Sequence, residues 1–449
     1  MHQNIRLLSV AAALLATSTA IRAVEIEGVQ TASMDQPRVT LMARRTLKGP
    51  PLVAKQDAGL ADLLGMDKNA TDNVAGFAAF LDTGASGILI SKVTADALGI
   101  THLRTGREKE APEIVFHDVG IGGTDQFNVS EPLLLYFGAY QALGGLTADD
   151  LLQPAGGPWN CQVGPLSGGG LLESIVGGID VLGMPAMIGK ILYMDPRPVN
   201  EVEDVIQVKL LTPDEARRAK LPKMDRHVIL SYADFGPFTS TDPVNAQRPV
   251  TAPNPFIGPD PTGRNPHKSS PIILTHGGRK SEASWLLDTG AAASMISTRQ
   301  AAKLGIRYKQ GTEGTANPVL EGVPKEKQFT LSVGGIGGMK TSAGFYVEEL
   351  RVPTTEGDDL IYHPAPVLVN DIIVEHPQTG EKVTRDGVFG MNLLVASANI
   401  DGGTLFPQIG DSVSGPFDAI IIDHATGILG VQLTKELRES VNTPRGGRR

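Results

Sequence analysis

The chain repeats itself, and the repeat limits what it can fold into. Leu81-Asp82-Thr83-Gly84-Ala85 and the residues after it, through Leu98-Gly99-Ile100, align with Leu287-Asp288-Thr289-Gly290-Ala291 through Leu304-Gly305-Ile306. Eleven of the twenty positions are identical, at an offset of 206 (288 − 82). Gly120-Ile121-Gly122-Gly123 returns as Gly335-Ile336-Gly337-Gly338, and Val181-Leu182-Gly183-Met184 as Val388-Phe389-Gly390-Met391. Three landmarks in one order, each about two hundred residues apart, define two domain-sized halves rather than a solenoid of short repeats. A chain of 449 residues has room for both.

Local signals within each half read mainly as strands. Gly76 to Leu81 and Ala283 to Leu287 are apolar runs that end at Asp-Thr-Gly, as buried strands entering a tight turn. Ser91 to Leu98 and Ser297 to Leu304 read as short helices with a Ser cap, closed by Gly99 and Gly305. The two Gly-Ile-Gly-Gly segments read as hairpin turns, and Ile191 to Asp195 and Ala419 to Asp423 as further strands. Phe235 to Pro271 carries nine prolines, which predicts a linker or surface loop between the halves. Gln153 to Gly170 reads as a smaller Gly/Pro-rich loop.

Composition narrows the function. A formal charge of −9 argues against nucleic acid or an anionic membrane as partner. The nine histidines are scattered, with no metal-ligand spacing, so no metal or other cofactor is expected. Cys161 is the only cysteine, which rules out an internal disulfide and reads as a small packed thiol. Arg6 followed by the apolar run Leu7 to Ala16 resembles an export signal ending near residue 20 or 23, either removed or kept as an anchor. No later stretch is long and apolar enough to span a membrane. The expectation is an exported, periplasmic or secreted monomer. Asn69-Ala70-Thr71 and Asn128-Val129-Ser130 match the glycosylation triplet.

At these motifs the chain resembles the aspartic peptidases. Each half has Asp-Thr-Gly after an apolar strand and, about a hundred residues on, two apolar residues followed by Gly. The Asp-Thr-Gly-Ala form is similar to the retroviral type, whereas two halves in one chain resemble the pepsins. The resemblance implies a mainly β, bilobal acid-protease fold with two β-barrel-like lobes about a pseudo-twofold axis. It implies lobes at 36–200 and 272–435, set between the expected signal peptide 1–23, the Pro-rich linker or loop 235–271 and a flexible basic tail 436–449. It makes Asp82 and Asp288 the catalytic pair, with Thr83, Gly84, Ala85, Thr289, Gly290 and Ala291 supporting the loops. Val181, Leu182, Gly183, Val388, Phe389 and Gly390 would thread beside them. The substrate flaps are placed at Thr105 to Phe116 and Gly311 to Gly322; the pepsin flap Tyr has no counterpart between Asp82 and Tyr136.

The chemistry accounts for the need for two copies. Hydrolysing a peptide bond requires a base to activate water and an acid to protonate the substrate. Two carboxyls sharing one proton supply both. A single Asp-Thr-Gly is most often a surface turn; the repeat and its flanking strands raise this pair above that reading. The expected function is an aspartic endopeptidase acting on a peptide or protein substrate. Two alternatives stay open: a catalytically inactive peptide- or protein-binding protein on the same scaffold, and halves that pair between molecules.

Overall fold

The structure, a computed structural model, describes residues 23–33, 35–53, 76–108, 110–139, 153–166, 180–196, 206–234, 238–239, 248–263, 269–375, 382–395, 398–400, 409–412 and 415–442. The expected signal segment lies outside these residues except for Ala23. The fold is mainly β, with few and short helices.

Three sheets of eight, twelve and five strands carry most of it. In the eight-stranded sheet, Arg38–Arg44 pairs with Gly76–Leu81, which pairs in parallel with Val181–Leu182. That strand pairs with Ile88–Ile90, and Ile88–Ile90 with Gln153–Val163. Gln153–Val163 returns to Gly123–Ala139, which also flanks Arg38–Arg44, so these strands close into a ring. Closure leaves no free edge along that path.

The twelve-stranded sheet mixes the halves. Ile191–Asp195 pairs with Phe417–Asp423, and Arg226–Ala233 with both Ile428–Leu433 and Asn254–Ile257. Asn254–Ile257 continues into Trp285–Leu287, then Gly387–Phe389 and Met295–Ile296. Buried Trp285, Phe256, Phe345, Phe389 and Phe417 help fill the core. The helices form where their caps dictate. Ser91 accepts from the Thr94 N–H at the head of Lys92–Leu98, and Gly99 ends that helix at φ 64°. Ser297 accepts from Gln300 N–H at the head of Thr298–Lys303.

Three expectations fail, each for a physical reason. The Gly/Pro-rich stretch expected as a loop contains the eleven-residue strand Gln153–Val163. Gly156 and Gly157, at φ 140° and 115°, absorb its register shifts against Gly123–Ala139. The proline-rich linker contains Asn254–Ile257, buried throughout. Pro255 sits opposite Tyr232 on one side only; the partner strand on the other side engages Phe256 and Ile257, so no ladder bond needs the missing N–H. The tail expected from residue 436 is instead helical over Lys435–Asn442. Leu437 and Val441, one turn apart, pack on the core, and Arg438 donates to Asp418. Residues 443–449 lie outside the described residues.

The chain ahead of the expected first half is also integrated. Val24–Ile26 pairs in parallel with Leu360–Tyr362, more than three hundred residues later.

Candidate active site

Each Asp-Thr-Gly loop leaves the end of a strand and is held by its neighbouring strand. Trp285–Leu287 is fully buried, and Gly76–Leu81 only partly so because its other face, with Ala78, is exposed. Asp82 N–H donates to Leu182 O (3.3 Å) and Asp288 N–H to Phe389 O (3.0 Å). Met184 N–H donates back to Ala85 O (2.9 Å) and Met391 N–H to Ala291 O (2.8 Å). Gly183 and Gly390 pass so close to the loops that a Cβ on either would collide with loop carbonyls. The two apolar-apolar-Gly segments thus sit where the sequence placed them, one beside each loop.

The loops face each other. A Cβ on Gly84 would strike the Asp288 carboxyl, and one on Gly290 the Asp82 carboxyl. The two carboxyls lie within hydrogen-bonding reach of one another. Gly84 and Ala85 N–H both donate to Asp82 Oδ1 (2.7 and 3.2 Å), and Gly290 and Ala291 N–H to Asp288 Oδ1 (2.9 and 3.0 Å). Both side chains keep partial solvent exposure although protein surrounds them. Burial lifts Asp82 above the ordinary carboxylate range, against the hydrogen bond from Asp288 and the backbone amides. Burial also lifts Asp288, and there the Asp82 charge and their mutual hydrogen bond act in the same direction. One proton shared by the pair follows from this arrangement.

The threonines lock the loops together. Thr83 N–H donates to Thr289 Oγ1 and Thr289 N–H to Thr83 Oγ1, both at 3.0 Å. Thr83 Oγ1 donates to Leu287 O and Thr289 Oγ1 to Leu81 O, both at 2.6 Å. Both threonines are fully buried.

The Gly-Ile-Gly-Gly hairpins meet at their tips. The first joins Val115–Gly120 to Gly123–Ala139, the second Gln328–Gly335 to Gly338–Val347. Gly122 N–H donates to Ile336 O (2.9 Å). Ile336 packs with Ala85, Leu89, Phe127 and Val181, while Ile121 and Val119 pack in a cluster with Ala291, Leu368 and Val388. These hairpins, rather than the expected 105–116 and 311–322, carry the segments lying against the loops. Thr105 to Phe116 joins the first hairpin only at its last two residues, and much of Gly311 to Gly322 is an exposed turn.

Two charged side chains also face this region. The Arg385 guanidinium interacts electrostatically with Asp288, Asp118 and Asp82. Asp118, on the first hairpin, accepts from Gln162 Nε2 (3.0 Å), and burial raises its pKa. A cavity of about 560 Å³ between Ile26–Val29 and Thr434–Leu437 contains neither Asp82 nor Asp288. Among the described residues, no group of three His, Cys, Asp or Glu side chains could hold a metal ion. No helix among them is long and apolar enough to cross a membrane.

No known protein family and no curated protein sequence matches the chain.

Sequence reasoning missed several contributors. Gln36 Nε2 donates to Gly290 O, and Ser33 N–H to Ala292 O (2.8 Å). Asn254 Nδ2 donates to Thr83 O (3.0 Å). Asn392 Oδ1 accepts from Ser294 N–H and Oγ (2.8 and 2.7 Å), beside the second loop. One signal was available: Gln36-Pro37 and Asn254-Pro255 are both amide-proline pairs preceded by a Thr-Ala, Thr31-Ala32 and Thr251-Ala252. Two other residues are now placed. Cys161 is fully buried, its thiol pushed up to about 12 by burial, and is thus unreactive at neutral pH. Asn128 of the glycosylation triplet is buried in a strand; Asn69 lies outside the described residues.

Proposed function

We propose that this protein is an aspartic endopeptidase in which Asp82 and Asp288 activate water. The observation carrying the reading is the pair itself. Two carboxyls 206 residues apart come within hydrogen-bonding reach, each held by two backbone N–H groups and both raised in pKa. The reading includes a bilobal acid-protease architecture, with Val181-Leu182-Gly183 and Val388-Phe389-Gly390 as supporting strands. It also includes export by the N-terminal segment and action as a monomer on peptide or protein substrates.

In the working state the pair holds one proton. One member carries it and the ionised member is the base. The ionised carboxyl removes a proton from water as the water oxygen bonds to the scissile carbonyl carbon, and the protonated carboxyl gives its proton to the carbonyl oxygen. The tetrahedral diol then collapses: a proton passes to the amide nitrogen, the C–N bond breaks, and a carboxylic acid and an amine leave. The joined hairpin tips act as flaps that must part to admit a chain and then exclude bulk water. The apolar clusters around Ile336 and Ile121 favour apolar side chains on both sides of the scissile bond.

The test is cleavage of a peptide library by wild type, Asp82→Asn and Asp288→Asn. Wild type should cut, and each amide variant, close in shape, should lose at least about a thousandfold in kcat/KM while keeping its fold. Near-wild-type turnover by either variant would remove the assignment. A peptide bearing a tetrahedral hydroxyl at the scissile position should bind more tightly than substrate.

A further inference from the structure

We propose that Asn254 and Gln36 are positioning residues, each orienting the peptide group that hydrogen-bonds one of the two site carboxyls. The proposal rests on the reading of Asp82 and Asp288 as an acid pair and assigns new residues to it.

The two side chains occupy matching places. Arg38 pairs with Phe80, and Phe256 with Leu286. Phe80 and Leu286 are related by the same offset of 206 as Asp82 and Asp288 (286 − 80). Gln36 and Asn254 each stand two residues ahead of those strand positions. Arg38–Arg44 pairs with the strand that leads to the first loop and Asn254–Ile257 with the strand that leads to the second, yet each amide reaches across: Gln36 to the second loop and Asn254 to the first. Neighbouring backbone does the same. Ser33 N–H donates to Ala292 O and Ala252 N–H to Ser86 O, again 206 apart (292 − 86).

The bonds fall on particular peptide units. Asn254 holds Thr83 O, and the N–H at the other end of that planar unit belongs to Gly84, which donates to Asp82 Oδ1 (2.7 Å). Gln36 holds Gly290 O, and the N–H of that unit belongs to Ala291, which donates to Asp288 Oδ1 (3.0 Å). A donor at the carbonyl end fixes the plane and polarises it, strengthening the N–H at the far end toward a negative charge. Both amides thus stabilise an ionised carboxyl without touching it.

A packing role alone does not account for Asn254. It is fully buried, and among the described residues its Oδ1 has no hydrogen-bond partner. Leaving that oxygen unsatisfied is costly, and an apolar residue would be more favourable there. The bond to Thr83 O is what the amide gives in return.

The variants are Asn254→Leu and Gln36→Leu, similar in shape but without donors. The first readout is titration of the Asp82 and Asp288 carboxyl carbons by NMR in full-length protein, which needs no enzymatic activity. Each variant should raise the lower apparent pKa of the pair by about half a unit or more. The other charged groups facing the pair, Arg385 and Asp118, are unchanged in both variants. The second readout is peptide cleavage: kcat should fall about tenfold with KM within about twofold, and the acid limb should move to higher pH. The melting temperature of Asn254→Leu should stay near that of wild type, since removing the unsatisfied Oδ1 offsets leaving Thr83 O without its donor, whereas a packing role would lower it. Gln36 is only half-buried, so its variant remains informative if Asn254→Leu fails to fold. Unmoved carboxyl titrations in a folded variant would overturn the proposal. If Asp82→Asn cleaves like wild type, the peptidase reading falls, and the titration still judges the brace.

Discussion

Replacing Thr83 by Val tests the lock between the loops, and its size follows from the bonds lost. The Thr83 hydroxyl donates to Leu287 O at 2.6 Å and accepts from Thr289 N–H at 3.0 Å, all fully buried. Valine keeps the shape and orphans one carbonyl and one N–H. Each buried orphan costs about 1–3 kcal/mol, and the added methyl returns about 0.8 kcal/mol. The expected loss is about 1–5 kcal/mol, a sizeable part of the roughly 5–15 kcal/mol that holds a domain folded. Urea unfolding measures it, with Thr83→Ser as control, since serine retains both bonds and should lie within about 1.5 kcal/mol of wild type. Thr289→Val removes the other two bonds. Because both pairs clamp one interface, the double variant should be non-additive by at least about 0.5 kcal/mol. A Thr83→Val protein within about 0.5 kcal/mol of wild type, with unaltered turnover, would refute the lock.

Two further outcomes concern pH. Burial holds the His424 imidazole neutral, its pKa brought down to about 4 from 6.5, with Nδ1 3.1 Å from the Tyr232 hydroxyl. The unfolded chain binds this proton first, so the contribution is intact above pH 6.5 and is lost as pH falls from 6.5 to 4. The loss totals about 3 kcal/mol. Urea midpoints of wild type and His424→Asn across that window should converge toward low pH, and parallel curves would contradict it. Arg385 favours the charged form of the pair it faces, so Arg385→Gln should raise the pair's lower apparent pKa and move the acid limb of kcat/KM to higher pH; an unmoved limb would remove the cation from the account.

What the sequence disclosed was what local chemistry writes into neighbouring residues. Asp-Thr-Gly after an apolar run, Ser91 ahead of Lys92–Leu98 and the glycines of the hairpin tips all have partners within a few positions, and each was readable. The resemblance names Thr83 and Thr289 as loop supports, and the geometry joins them to each other by reciprocal hydrogen bonds. Asn254 and Gln36 were hidden because their partners lie 171 and 254 residues away, across the fold. Proline count misled at Asn254–Ile257, since what matters is whether the neighbouring strand needs the missing N–H. Glycine count misled at Gln153–Val163 in the same way, because two glycines that look like a turn serve as bulges. Analogy points to 105–116 and 311–322 for segments over the loops, whereas the hairpin tips that pack beside them are the Gly-Ile-Gly-Gly turns, already legible in the sequence.

The pairing of Val24–Ile26 with Leu360–Tyr362 has a consequence for synthesis. The strand leaves the ribosome early and its partner follows 336 residues later (360 − 24). At roughly 5–20 residues per second that is an interval of about 20–70 s. Gly122 must likewise wait for Ile336, and Thr83 for Thr289. Until the second half of the chain has emerged, Asp82 has no second carboxyl to share a proton with and no hairpin tip from that half beside it. Whatever needs both carboxyls must wait for Asp288, 206 residues after Asp82 (288 − 82), to be made and folded against it. The order of translation thus keeps the two loops apart until each can meet its partner.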